Sequence, residues 1–78
     1  PEEIPEVSIP LGPQGDAGLL DVLRKALGIR SNGEARRLVT QNAVWMDGEL
    51  VTDPTIRLRA GNFLLRAGKR RFARVELR

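Results

Sequence analysis

The stretch Ser31-Asn-Gly-Glu-Ala-Arg-Arg-Leu-Val-Thr-Gln-Asn42 constrains this chain more than any other. Ser31 and Glu34 have the spacing of a capping box, in which the serine oxygen accepts from the third helical amide and the glutamate reaches back to the cap. Behind that start, Ala35, Leu38 and Val39 recur at i, i+3 and i+4, one apolar stripe of a short helix. At about 100° per residue, Gly33, Arg36, Arg37, Thr40 and Gln41 point the other way. The helix should bury one side and offer two guanidinium groups among small polar residues on the other. That surface suits a phosphate backbone.

The rest of the chain must hold this helix with few resources. A domain of 78 residues has a thin core, and with no Cys and no His it has no disulfide or zinc site to reinforce it. Haem ligation and thiol catalysis are excluded on the same ground. Missing cysteines fit a reducing compartment, and no apolar run approaches the roughly 20 residues that cross a bilayer. A cytoplasmic location with no membrane partner is therefore expected. The chain starts at Pro1 and its single Met, Met46, falls in a predicted strand, so it reads as a segment of a larger protein.

Charge is unevenly placed. Residues 1–16 hold Glu2, Glu3, Glu6 and Asp16 with no basic group, while residues 17–78 hold all 13 Lys and Arg. A small, arginine-rich body with that excess suits a polyanion. A solvated surface without a partner gives the same totals, so charge alone does not decide.

Four of the five prolines lie within Pro1–Pro13, which predicts an extended connector, with Val7 and Ile9 able to line a short edge strand. Asp16 is placed to cap a first helix whose apolar arc is Leu19, Leu20, Val22, Leu23, Ala26 and Leu27. Gly28 ends that helix where a left-handed residue is wanted. Ile29 then precedes the second cap and can staple it.

Asp47-Gly48, flanked by β-formers, predicts a two-residue hairpin pairing Met46 with Glu49, Trp45 with Leu50 and Val44 with Val51. Trp45 is expected to pack against a helix or the connector; stacking on an unpaired base is the alternative. Phe63–Arg66 reads as a further strand. After the Ala67-Gly68-Lys69 turn comes a last strand, in which Ala73, Val75 and Leu77 alternate with Phe72, Arg74 and Glu76. The fold class is α+β: two short helices packed on a small antiparallel sheet.

Catalysis finds no support in these residues. Each carboxylate already serves as a cap partner, a turn residue, a strand stop or part of the connector, and Ser31 has no base to activate it. No phosphate-loop or dinucleotide glycine pattern occurs.

Two runs carry a resemblance. Gly28-Ile-Arg-Ser-Asn-Gly-Glu-Ala-Arg-Arg-Leu-Val, followed by Ala43-Val-Trp-Met-Asp-Gly-Glu and Asp53-Pro54, resembles the RNA-binding domain named after ribosomal protein S-four, over about residues 18–78. Gly61–Val75 and the opening Pro1–Pro10 are similar to the C-terminal domain of bacterial tyrosyl-tRNA synthetases of the Thermus–Deinococcus type. The resemblance implies residues 1–17 as an acidic, proline-rich linker from an upstream catalytic body and residues 18–78 as the RNA-binding domain. It implies tyrosine tRNA as partner, held by its anticodon stem and long variable arm. The parent enzyme would be a homodimeric ligase using ATP in its catalytic domain, with no catalytic residue or cofactor in this segment.

The resemblance carries Ser31, Arg36, Arg37, Lys69, Arg70 and Arg71 over as RNA contacts, and the residues themselves add Arg30, Asn32 and Gln41 around the second helix and Arg66 on the strand flanking the basic turn. Two departures stand out: Asn32 replaces a common Arg or Lys, with Arg30 the nearest substitute, and Asp47 replaces a common hairpin Asn. Two other readings stay open. One is a ribosomal-RNA-binding domain of a pseudouridine synthase or ribosome-associated factor. The other is a protein–protein adaptor using Trp45, Leu50 and Phe72.

Overall fold

A computed structural model describes residues 4–78. The part of the connector formed by Pro1–Glu3 lies outside the described residues. The element order is β1 (Glu6–Ile9), β2 (Asp16–Gly18), α1 (Leu19–Leu27), α2 (Asn32–Thr40), β3 (Val44–Met46), β4 (Glu49–Leu50), β5 (Arg57–Arg59), β6 (Gly61–Ala67) and β7 (Arg71–Leu77). Five strands form one sheet in the order β1-β7-β6-β3-β4, and β2 pairs with β5 in a separate two-stranded ribbon. The expected α+β class holds. The main sheet is antiparallel except at one edge, where β1 runs parallel to β7, with Val7 opposite Val75 and Ile9 opposite Leu77.

Local chemistry explains most of these boundaries. The start of α1 is a correction: Asp16 does not cap it. The cap position is Gly18, in extended geometry and without a side-chain bond. A tertiary carbonyl takes over, since the amide of Leu19 donates to the carbonyl of Ile56 at 3.1 Å. Asp16 instead accepts from Arg57 Nη2 at 2.9 Å, clamping the β2–β5 ribbon. Gly28 closes α1 at φ 70°, ψ 26°, as its position suggested.

At α2, Ser31 Oγ accepts from the Glu34 amide at 3.1 Å. Only this half of the capping box forms among the described residues. The helix leaves through Asn42 at φ 59°. Asn42 donates to the carbonyl of Val39 and Ala43 to that of Leu38, the paired bonds of a left-handed helix stop. Asp47 (φ 52°) and Gly48 (φ 84°) make the tight hairpin turn, with Trp45 opposite Leu50 and Met46 opposite Glu49.

The helices cover one face of the sheet. Leu19, Val22 and Leu23 from α1 and Ala35 and Val39 from α2 meet Val44, Leu65, Ala67, Ala73, Val75 and Leu77. Ile9 and Ile29 join this core at 3% and 4% exposure, so the edge strand belongs to it. No buried polar or charged side chain lies among the described residues. The alternation along β7 therefore reads directly as dry and wet sides.

The wet side rules out a helix as the packing partner expected for Trp45. The ladder places it across from Leu50 on one side and Arg66 on the other, and Arg66 lies across from Phe72. All four share the outer face, away from the helices.

Candidate nucleic-acid interface

The second helix and the β6–β7 turn come together at one end of the molecule. Gly68, at φ 67°, donates its amide to the carbonyl of Ala43 at 2.7 Å, which ties the turn to the residue following the helix stop. Between them lies a concavity of about 380 Å³ lined by Glu34, Leu38, Ala67, Gly68, Lys69, Arg70 and Arg71. The basic turn and α2 thus form two walls of one open groove.

Helical geometry distributes the remaining side chains. Arg37 and Gln41 flank the Glu34–Leu38 row, while Arg36 is turned by about 100° from Arg37. Arg36, Arg37, Thr40 and Gln41 are exposed, as are Arg30, Ser31 and Asn32 ahead of them. Burial of Ala35 and Val39 fixes this rotation, because the apolar stripe has only one way to face the core. The first turn of α2 also presents backbone amides beyond the one that Ser31 accepts from, and these carry partial positive charge.

Among the described residues, no ion pair engages the cations of the groove. The two ion pairs among the described residues are Asp21–Arg24 at 3.5 Å and Asp16–Arg57 at 2.9 Å, and neither involves a residue of the groove. Arg36 and Arg37 therefore do not pair with Asp21 or Glu34. Asn32 sits on the α1 side, where its Oδ1 accepts from Arg24 Nη1 at 3.4 Å. Arg30 stands in the link between the helices.

Of the ten candidates, Lys69, Arg70 and Arg71 line the groove, and Arg66 is placed apart from the rest. It lies on the outer face of the sheet, with Nε donating to the carbonyl of Gly68 at 2.8 Å. Its guanidinium lies over Trp45, 4.6 Å from the ring centroid, and 5.6 Å from that of Phe72. Two lining residues, Glu34 and Leu38, carry only a cap role and a core role in the sequence pattern. Their i, i+4 spacing puts them on one helix face, but the Gly68 turn opposite them, which makes that face a groove wall, carries no local signal.

Elsewhere the perturbed groups are structural. The Arg57 hydrogen bond holds the Asp16 carboxyl below its ordinary value of 3.8 and raises Arg57 in turn. Bonds from the Thr55 hydroxyl and amide do the same to Asp53. Among the described residues, no cluster of acidic side chains is arranged to hold a metal ion, and no helix is long and apolar enough to cross a membrane.

Comparison with known proteins agrees with this geometry. The family model for the S4 domain, the family named after ribosomal protein S-four, matches residues 18–64. The chain belongs to the S4 domain family. The matched span of this S4 domain contains both helices, the hairpin and the first part of β6. Similar sequences include the tyrosine–tRNA ligases of Bordetella pertussis, 43% identical, and Syntrophotalea carbinolica, 46% identical. The corresponding ligase of Mannheimia succiniciproducens is 38% identical. These alignments cover 97–100% of this chain but only 18–19% of the relatives' length.

Proposed function

We propose that this S4 domain is the RNA-holding appendage of a tyrosine–tRNA ligase, gripping the anticodon stem and long variable arm of tyrosine tRNA. The observation that carries the proposal is the groove itself. Lys69, Arg70 and Arg71 on one wall outnumber the single acid, Glu34, on the other, Arg37 and Gln41 stand beside it, and the Gly68–Ala43 bond holds the walls together. A fixed set of cations on a curved surface suits structured RNA, whose duplex parts hide their base edges and are read through phosphate, sugar and shape. The similarity to tyrosine–tRNA ligases favours tRNA over ribosomal RNA as the occupant.

In this reading, Arg36, Arg37, Lys69, Arg70 and Arg71 neutralise phosphates, while Ser31, Asn32 and Gln41 supply hydrogen bonds to the backbone. Arg30 reaches the same backbone from the link between the helices. Aminoacylation with ATP belongs to a catalytic body in the same protein, which acts as a cytoplasmic homodimer. Tethering to that body raises the effective concentration of a modest binding module and orients a long ligand.

Electrophoretic or anisotropy titration of this chain with tyrosine tRNA tests the assignment. Arg36→Ala with Arg37→Ala should weaken binding by about tenfold per lost charge-assisted contact. It should also flatten the log–log salt dependence by roughly 0.7–0.9 per phosphate released. Unchanged affinity in a folded double variant would remove α2 from the interface. Removal of the variable arm should bring tyrosine tRNA down to the affinity of ribosomal RNA fragments, which should then compete equally; an unchanged affinity argues against the variable arm as the ligand.

A further inference from the structure

The outer sheet face holds a construction that the groove does not explain. Arg66 is half-buried between two aromatic rings, and its Nε is committed to the carbonyl of Gly68. Among the described residues no carboxylate pairs with it. The Nη edge of a flat guanidinium is thus pre-set in one orientation, with its entropy already lost on folding and its donors open to an acceptor. Such a fork matches the spacing of two phosphate oxygens.

The flanks of the fork are suited to a base. Trp45 and Phe72 are half-buried, and Leu50, across the ladder from Trp45, is 43% exposed, so this part of the outer face borders solvent. Aromatic side chains on an open sheet face are a general platform for unpaired nucleobases, which stack regardless of identity. Charge also divides this face. Glu6, Asp47 and Glu76 line a separate concavity of about 560 Å³ further along the strands, leaving the end nearest the Lys69–Arg71 turn cationic. A stable protein partner would bury roughly 800 Å² on each side. The apolar ground here is a few side chains around one guanidinium, the footprint of a nucleotide.

We propose that this face is a second RNA subsite taking one unpaired nucleotide, with its phosphate on the Arg66 fork and its base stacked against Phe72, beside Trp45. It rests on the reading of the domain as an RNA binder, but it needs none of the α2 contacts. The β6–β7 turn stands between the two surfaces, so a bound RNA would pass from paired to unpaired structure around Lys69–Arg71.

Trp45 is the only tryptophan of the chain and reports on the site directly. Titration with a short unstructured oligoadenylate at low salt should quench its emission saturably, and a blunt RNA duplex of equal length should not compete. Phe72→Leu should raise the midpoint roughly tenfold, the loss expected for one stacked base. Arg66→Lys keeps the charge but loses the fork, and should raise the midpoint several-fold with the fold intact by circular dichroism.

An absence of saturable quenching overturns the proposal, as do variant midpoints equal to the parent's or full competition by the duplex. Failure of the tRNA reading would show instead as unchanged tRNA affinity in the Arg36/Arg37 variant, a measurement in which Trp45 plays no part.

Discussion

Gly68 and Ala43 are joined by a 2.7 Å hydrogen bond from amide to carbonyl, and through it a turn between strands is fastened to the stop of a helix. The bond needs Gly68 in left-handed geometry and follows directly on left-handed Asn42. Two local signals, each a helix or hairpin ending, thereby fix the distance between the cationic turn and the α2 wall of the groove.

Substitution of Gly68 tests the conformational part of that bond. No atom stands near a Cβ built there, so Gly68→Ala costs only the left-handed backbone penalty of about 1–2 kcal/mol. Urea denaturation should show that loss. A neutral result would mean that the turn tolerates another conformation.

The serine cap allows stability and binding to be separated. Ser31→Ala should destabilise the chain by about 1 kcal/mol, because the Glu34 amide loses its acceptor. Ser31→Asp keeps a good cap yet places a negative charge beside Arg30 and Arg36. Stability should then hold while RNA affinity falls; equal affinity would place RNA away from the start of α2.

The edge strand is expected to be essential even though the family match begins at residue 18. Ile9 is 3% exposed against the core. Ile9→Ala should cost about 2–5 kcal/mol, a large share of the roughly 4–12 kcal/mol expected for a domain of this length. A fragment of residues 18–78 should lack a cooperative thermal transition by calorimetry. If it melts as sharply and as high as the parent, β1 is dispensable.

Acid should loosen the β2–β5 ribbon in a defined direction. Arg57 lowers the folded-state pKa of Asp16 below 3.8, and Thr55 lowers that of Asp53. A depressed carboxylate contributes its full stabilisation above the unfolded value of about 4 and loses it as pH falls through the folded value. Asp16→Asn should flatten the stability–pH curve below about pH 4 and leave it parallel to the parent above. Denaturant midpoints taken between about pH 2 and 6 check this.

Short-range features were legible from the residues alone. Gly28, Ser31 and Asp47-Gly48 mark their boundaries through backbone chemistry confined to a few positions, and the alternation of Ala73, Val75 and Leu77 marks its own dry side. Long-range pairings were not. Asp16 looked like a cap because its partner, Arg57, lies 41 residues away. Trp45 looked like a helix contact because no local period announces Arg66 across the ladder. The parallel β1–β7 edge and the β2–β5 ribbon depend likewise on meetings between distant segments. In the groove, the basic residues were identifiable by type and spacing, whereas Glu34 and Leu38 became lining residues only through the position of Gly68.

The direction of β1 has a mechanical result. Because it runs alongside β7 in the same sense, from the Pro5–Arg74 bond to the Ile9–Arg78 bond, the chain leaves the ladder at opposite ends on its two sides. Tension drawn between the termini loads every rung in shear at the same moment instead of peeling them singly.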